Sequence, residues 1–183
     1  MKRVVILSGS PSAQSRSDIL LSYLGKQLQA RDVTVTHISV KDIPEQVLCQ
    51  GDYTSPVIQQ ITQRIEEAQG LIVGSPVYKA SYSGVFKSLV DLLPQDIFKH
   101  KPVLPIMTGG SLTHLLAIEY TLKPLVNILK GKSLKGIYFL DSQLDKNNQQ
   151  PILDDELLAR TKKQLDYFFE LIHQQQSAAS LSS

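Results

Sequence analysis

The chain has 183 residues, 42% hydrophobic and 20% charged, which suits one soluble domain with a single full core. Its 19 basic and 17 acidic residues are spread without runs of like charge. The net charge of +2 therefore offers no nucleic-acid stripe, and small-molecule partners are expected. The first apolar run is too short for a secretory signal, and no stretch approaches a bilayer span. A single cysteine, Cys49, excludes an internal disulfide or a multi-thiolate zinc site, so a cytoplasmic protein without a metal is expected.

Val4 to Leu7 reads as a buried strand, and Leu20, Leu24 and Leu28 mark the helix after it. Val33 to Val40 is a second strand, less purely apolar and so nearer an edge. Ser55 and Pro56 start a helix, by capping and by proline at its first position, and Ile58, Ile61, Ile65 and Ala68 form its buried stripe. Leu71 to Gly74 is the third strand, Ser83 to Leu93 a helix, and Val103 to Thr108 the fourth strand. A helix over Leu112 to Lys130, a fifth strand over Leu134 to Leu140, and a last helix marked by Leu153, Leu157, Thr161, Leu165, Phe168 and Ile172 complete the order. Strands alternating with helices imply an α/β fold, a parallel sheet covered on both faces. Residues 1–175 form the domain, and 176–183 are expected to be a disordered tail. Pro105 sits inside the fourth strand, where its missing N–H demands a bulge or a different boundary.

In such a sheet the ligand lies beyond the carboxyl ends of the strands. The first loop there is GSPSAQSRS, Gly9 to Ser17. Its Ser10, five residues, Arg16, Ser17 spacing matches the phosphate cradle of cysteine-dependent phosphatases except that serine replaces the thiolate. A serine without a base is a weak nucleophile, so the loop suits binding a phosphate without cleaving it. Unpaired first-turn N–H groups, the Arg16 fork and the hydroxyls of Ser10, Ser15 and Ser17 are the donors; the competing reading is a polar turn with Ser17 as the helix cap. Neither G-x-x-x-x-G-K-[ST] nor G-x-G-x-x-G is present, which leaves a mononucleotide. Pro76, Val77 and Tyr78 in the second loop offer a flat surface to an aromatic ring, or simply pack on the sheet edge. Lys79 is a solvated surface charge or, if the loop borders the pocket, a ligand for a second nucleotide's phosphate. Thr108, Gly109 and Gly110 allow close backbone approach. The four histidines show no ligand spacing.

Together the stretches LSGSPSAQSRS, GLIVGSPVYKASYSGVFKSLVDLLP and LPIMTGGSLTHLLAIEYTLKPLV resemble the NADPH-dependent FMN reductase family, and within it the branch that supplies reduced flavin to alkanesulfonate monooxygenases. The resemblance covers most of residues 1 to 140. It implies a three-layer flavodoxin-like fold with a five-stranded parallel sheet in the order 2-1-3-4-5. It further implies FMN and NADPH as cofactors, with the FMN phosphate on Ser10, Arg16 and Ser17. The flavin ring would lie against Pro76, Val77 and Tyr78, and its polar edge near Thr108, Gly109, Gly110 and Ser111. A flavin-dependent monooxygenase as protein partner and a homodimer or homotetramer are implied as well. Independently, Pro124 cannot donate to the carbonyl of Tyr120, so the helix has a defect there; in the resembling branch a tyrosine at this place marks a one-residue widening near function, which makes Tyr120 the catalytic candidate, and the alternative is an ordinary proline kink with a buried tyrosine. Leu115, Leu116, Ile118, Leu122, Leu125, Val126 and Leu129 make that helix apolar over most of its circumference, which suggests a subunit interface. A quinone or azo-dye reductase that keeps its FMN, or a flavodoxin-type electron carrier, are the alternatives; such carriers are usually acidic, against the +2 here.

Overall fold

The computed structural model describes residues 2–179, and the side-chain surroundings of 2–174. Strand β1 (Lys2–Ser8) is followed by α1 (Arg16–Gln29), β2 (Val33–Ser39), a 3-10 turn at Val40–Asp42, α2 (Glu45–Gln50) and α3 (Pro56–Glu67). Then come β3 (Gly70–Pro76), α4 (Gly84–Asp91), β4 (Pro102–Gly109), a π-helical turn at Ile118–Leu122, α5 (Lys123–Ile128), β5 (Lys132–Ser133), β6 (Ile137–Leu140) and α6 (Asp155–Ala179). All pairings are parallel, in the order β2-β1-β3-β4-β5, with β6 also paired to β4. This is the expected 2-1-3-4-5 sheet, with the fifth strand divided in two. The edge position expected for the second strand holds.

Side chains alternate across the sheet. Val4, Ile6 and Ile72 pack with Leu20, Leu24 and Leu28 of α1 and Leu165, Phe168 and Ile172 of α6. Val5, Leu7, Leu71 and Val73 face the opposite layer, with Ile58, Ile61 and Ile65 of α3, Phe86 and Leu89 of α4, and Leu125 and Val126 of α5. The period of two along each strand thus divides one apolar run between two cores.

The division of the last strand explains Pro105. The carbonyl of Pro105 lies toward Gly136, whose Cβ, if present, would stand 2.7 Å from that oxygen. In a strand, one residue's N and O point the same way, so the missing N–H faces the gap between β5, paired at Pro102 and Val103, and β6, paired from Ile106 onward. No ladder bond is lost. Neither the expected bulge nor a changed boundary at Pro105 occurs, since β4 runs through it in register with β3; the neighbour is interrupted instead, and the expected strand Leu134 to Leu140 shortens to Ile137–Leu140.

Other boundaries differ locally. The expected helix Leu112 to Lys130 is a 3-10 turn at Leu112–His114, then the π-helical turn and α5. Ser55 occupies the cap of α3 with Pro56 in the first turn, but its hydroxyl makes no capping bond. Leu153 precedes α6 and is exposed. Cys49 is exposed on α2, a short helix with no buried residue to give it a periodic signal. Of the expected tail at 176–183, residues 176–179 continue α6, and 180–183 lie outside the described residues.

Candidate active site

From β1 the chain leaves through α1 to β2 on one side and later returns as β3 on the other, so a crevice opens at the carboxyl ends of β1 and β3. Buried hydroxyls tie the loops around it together. Ser83 Oγ donates to the Gly9 carbonyl at 2.5 Å and accepts from Phe86 N, the first-turn cap of α4. Ser75 Oγ accepts from Ser83 N at 3.0 Å and donates to the Pro76 carbonyl at 2.9 Å. Ser17 Oγ and Thr108 Oγ1 are 2.5 Å apart, and Val77 N donates to the Thr108 carbonyl at 2.7 Å. First loop, second loop and third loop are thereby bonded pairwise. Ser10, Ser17, Ser75, Ser83 and Thr108 are each no more than 2% exposed, and unpaired hydroxyls at such depth would be costly.

In the first loop Ser15, rather than Ser17, caps α1: its hydroxyl accepts from Asp18 N at 3.3 Å. Ser17 is turned inward to Thr108 instead, which corrects the capping alternative. Ser10 is buried and accepts from Ser12 N at 3.3 Å. The N–H groups of Arg16 and Ser17 in the first turn have no intrahelical carbonyl to bond and sit at the positive end of the helix. Asp18, only 8% exposed, accepts from Ser8 Oγ on one carboxylate oxygen and from Lys41 Nζ at 2.7 Å on the other.

Arg16 has a loose ion pair, Nη1 to Asp141 Oδ2 at 3.9 Å, and its buried Nε has no partner. A buried guanidinium N–H without an acceptor beside first-turn amides fits an oxyanion. The residues present therefore suit a phosphate-bearing ligand.

Pro76 ends β3, and Tyr78, 47% exposed, opens a two-residue turn closed by Tyr78 N to the Ser81 carbonyl at 2.8 Å and Ser81 N to the Tyr78 carbonyl at 3.2 Å. Lys79 and Ala80 at its tip both have positive φ, 51° and 66°, a conformation glycine would adopt without strain. Lys79 is exposed there. In the third loop Thr108 and Gly109 end β4, and Gly110 and Ser111 follow. Ser111 Oγ accepts from Thr113 N at 3.2 Å, and the Ser111 carbonyl accepts from Tyr138 Oη at 2.6 Å. Burial, and after it the Asp141 carboxylate, push the Tyr138 phenol above its ordinary pKa, so it remains a donor.

Asp141, Tyr138, Ser75 and Ser83 join the site without a signal in the sequence, since each acts through contacts between distant elements. Tyr120 lies on the π-helical turn, where the widening was expected, and Lys123 N bonds the Ile118 carbonyl five residues back. Tyr120 is 75% exposed and its hydroxyl has no hydrogen-bond partner among the described residues. Within one chain, then, it stands apart from the three loops. Among the described residues no cluster of metal ligands is present, and no helix is long and apolar enough to cross a membrane.

Residues 2–145 match the family model of the NADPH-dependent FMN reductases. The chain belongs to this family. The reductase is 40% identical to an FMN reductase (NADPH) of Escherichia coli strain K12 over 172 residues, which span 93% of this chain and 90% of that protein. It is 48% identical to an FMN reductase (NADPH) of Pseudomonas putida KT2440 over 142 residues, 77% of this chain and 72% of the relative. Among solved structures, an apo NADH:FMN oxidoreductase superposes with a TM-score of 0.83 at 32% identity, covering 92% of this chain and 88% of that one. The reductase is thus an oxidoreductase with FMN and NADPH as its cofactors. Its flavodoxin-like sheet carries the crevice where the three loops meet.

Proposed function

We propose that the protein reduces FMN with NAD(P)H as a two-substrate reaction, FMN entering oxidised and leaving as FMNH2. The observation that carries this reading is the unpartnered, buried Arg16 Nε beside the open first turn of α1, which suits the phosphate of a mononucleotide. Arg16 and the first-turn amides hold the phosphate, with Ser10, Ser15 and Ser17 shaping the loop around it. Pro76, Val77 and Tyr78 form the shelf for the ring, and the backbone of Thr108, Gly109, Gly110 and Ser111 meets its polar edge. When bound, the two nucleotides would supply the redox chemistry, a hydride transfer balanced by a proton from solvent. What the chain contributes is placement: a rigid wall and an anchored phosphate hold the ring so that a nicotinamide can approach its free face. No general base is required, and Lys79 at the exposed turn is positioned for a phosphate of the second nucleotide.

The exposed Leu112, Leu115, Leu116, Tyr120 and Ile128 lie along the segment from the third loop through α5. An apolar surface of this kind supports assembly into a homodimer or homotetramer, in which Tyr120 reaches the flavin site of a neighbouring subunit. The resemblance of the three loops to the alkanesulfonate branch supports a cytoplasmic flavin-dependent monooxygenase, acting in desulfonation, as the recipient of the FMNH2.

The test is aerobic NADPH oxidation by extensively dialysed protein with and without added FMN. A colourless protein that oxidises NADPH only when FMN is supplied agrees with this reading. A protein that stays yellow and turns over a quinone or azo dye without added FMN instead identifies a reductase that retains its flavin.

A further inference from the structure

We propose that the Asp18–Lys41 pair sets how strongly the site prefers a phosphorylated flavin over an unphosphorylated one, with Lys41 as a positioning residue that keeps the Asp18 carboxylate out of the anion site. This inference rests on the phosphate reading of the first loop.

Asp18 lies in the first turn of α1, where a carboxylate is drawn to the same positive helix end and N–H groups that a phosphate needs. A free carboxylate there competes with the ligand directly and repels its charge. The structure diverts it. Both carboxylate oxygens point toward the strands, one bonded by Ser8 Oγ at the end of β1 and the other by Lys41 Nζ at 2.7 Å. The Asp18 N–H is taken by Ser15, so the residue neither donates to the ligand nor accepts from the loop amides.

The topology makes this possible. Strand β2 pairs with β1 up to Ser8 and Ser39, so the 3-10 turn carrying Lys41 begins beside the first loop. Lys41 is itself partly exposed, and Asp42 next to it and His37 on β2 are the other titratable groups near the pair. Neutralised by Lys41, Asp18 leaves the first-turn field to the ligand; without Lys41 the carboxylate is an uncompensated negative charge in the same first turn as the amides that would hold the phosphate. The penalty falls on phosphate alone, because the flavin ring lies on the second and third loops.

The experiment titrates FMN and riboflavin, by flavin fluorescence, into the wild-type protein and the variants Lys41→Met, Lys41→Gln, Asp18→Asn and Asp18→Asn/Lys41→Met. Thermal melts confirm that each variant is folded. Lys41→Met and Lys41→Gln are expected to weaken FMN roughly 5-fold, the scale of one charge acting through partly solvated protein, and to leave riboflavin within about 2-fold on the same scale. Asp18→Asn is expected to bind FMN as tightly as the wild type or tighter, and the double variant to return to the Asp18→Asn value. Equal losses for both flavins in the Lys41 variants, no loss for either, or a double variant as weak as Lys41→Met overturns the proposal. Arg16→Ala separates the layers of the argument. If it fails to discriminate FMN from riboflavin, the phosphate site falls and this inference with it; if it discriminates and the Lys41 variants do not, only this inference falls.

Discussion

Gly109→Ala tests whether the third loop is held by close packing rather than by its sequence alone. A Cβ at position 109 would collide with Tyr138 Oη, while its next contacts, Tyr138 Cζ at 3.3 Å and Val77 Cβ at 3.5 Å, are tolerable. The phenol is buried and anchored to the Ser111 carbonyl at 2.6 Å, so it cannot simply swing away. Overpacking of this kind costs about 1–3 kcal/mol and the lost hydrogen bond about 1 kcal/mol more. For a chain of this size a loss of roughly 2–4 kcal/mol lowers Tm by roughly 4–16 °C, read by circular dichroism melts. Removing the clashing oxygen should rescue most of it. Gly109→Ala/Tyr138→Phe is expected to be more stable than Gly109→Ala alone, although Tyr138→Phe by itself is destabilising by about 1 kcal/mol. FMN titration should follow the same order, because the loop that meets the ring edge moves with Ser111. Additive losses in the double variant, or a Gly109→Ala protein that melts with the wild type, would refute the packing argument.

Arg16→Ala is expected to weaken FMN by roughly 10- to 100-fold, the value of a hydrogen bond to a charged group; at 39% side-chain exposure, and already shared with Asp141, the lower end is favoured. An unchanged fluorescence titration contradicts its phosphate role. Ala80→Gly relieves a positive φ and is expected to raise stability by about 1 kcal/mol, set by the steric cost of the left-handed region; a melt that shows no gain shows that the turn is not strained. Tyr120→Ala is expected to shift the assembly toward smaller species in sedimentation and to lower turnover, whereas unchanged mass and rate remove Tyr120 from the interface and from the site.

The succession of strands and helices and the three loops were legible because each rests on local signals, apolar runs of strand length and glycine and serine where strands give way to helices; the lateral order 2-1-3-4-5 came from the resemblance. The helix defect at Tyr120 was legible from Pro124, while its form as a π-helical turn came from the resemblance. What escaped the sequence are partnerships made across the fold. Lys41 and Asp18 are separated by an entire helix and strand, and Asp141 meets Arg16 from the far end of β6. Ser17 looked like a helix cap because serine before an apolar stripe favours that role; the buried Thr108 hydroxyl, visible only in three dimensions, claims it instead. Helix α2 escaped because it buries none of its side chains fully.

The meeting of Pro105 and Gly136 also fixes which residues may sit side by side at the end of the sheet. Gly136 holds a φ of 75°, and a Cβ there would fall 2.7 Å from both the proline ring and its carbonyl oxygen, a place no side chain fits. If β6 slid by one residue, either Lys135 or Ile137 would be driven into that contact, and inward and outward side chains would exchange faces. The two residues therefore act as a lock and its key for strand alignment. A side chain at position 136 is expected to loosen the wall that carries Tyr138 and Asp141 toward the crevice.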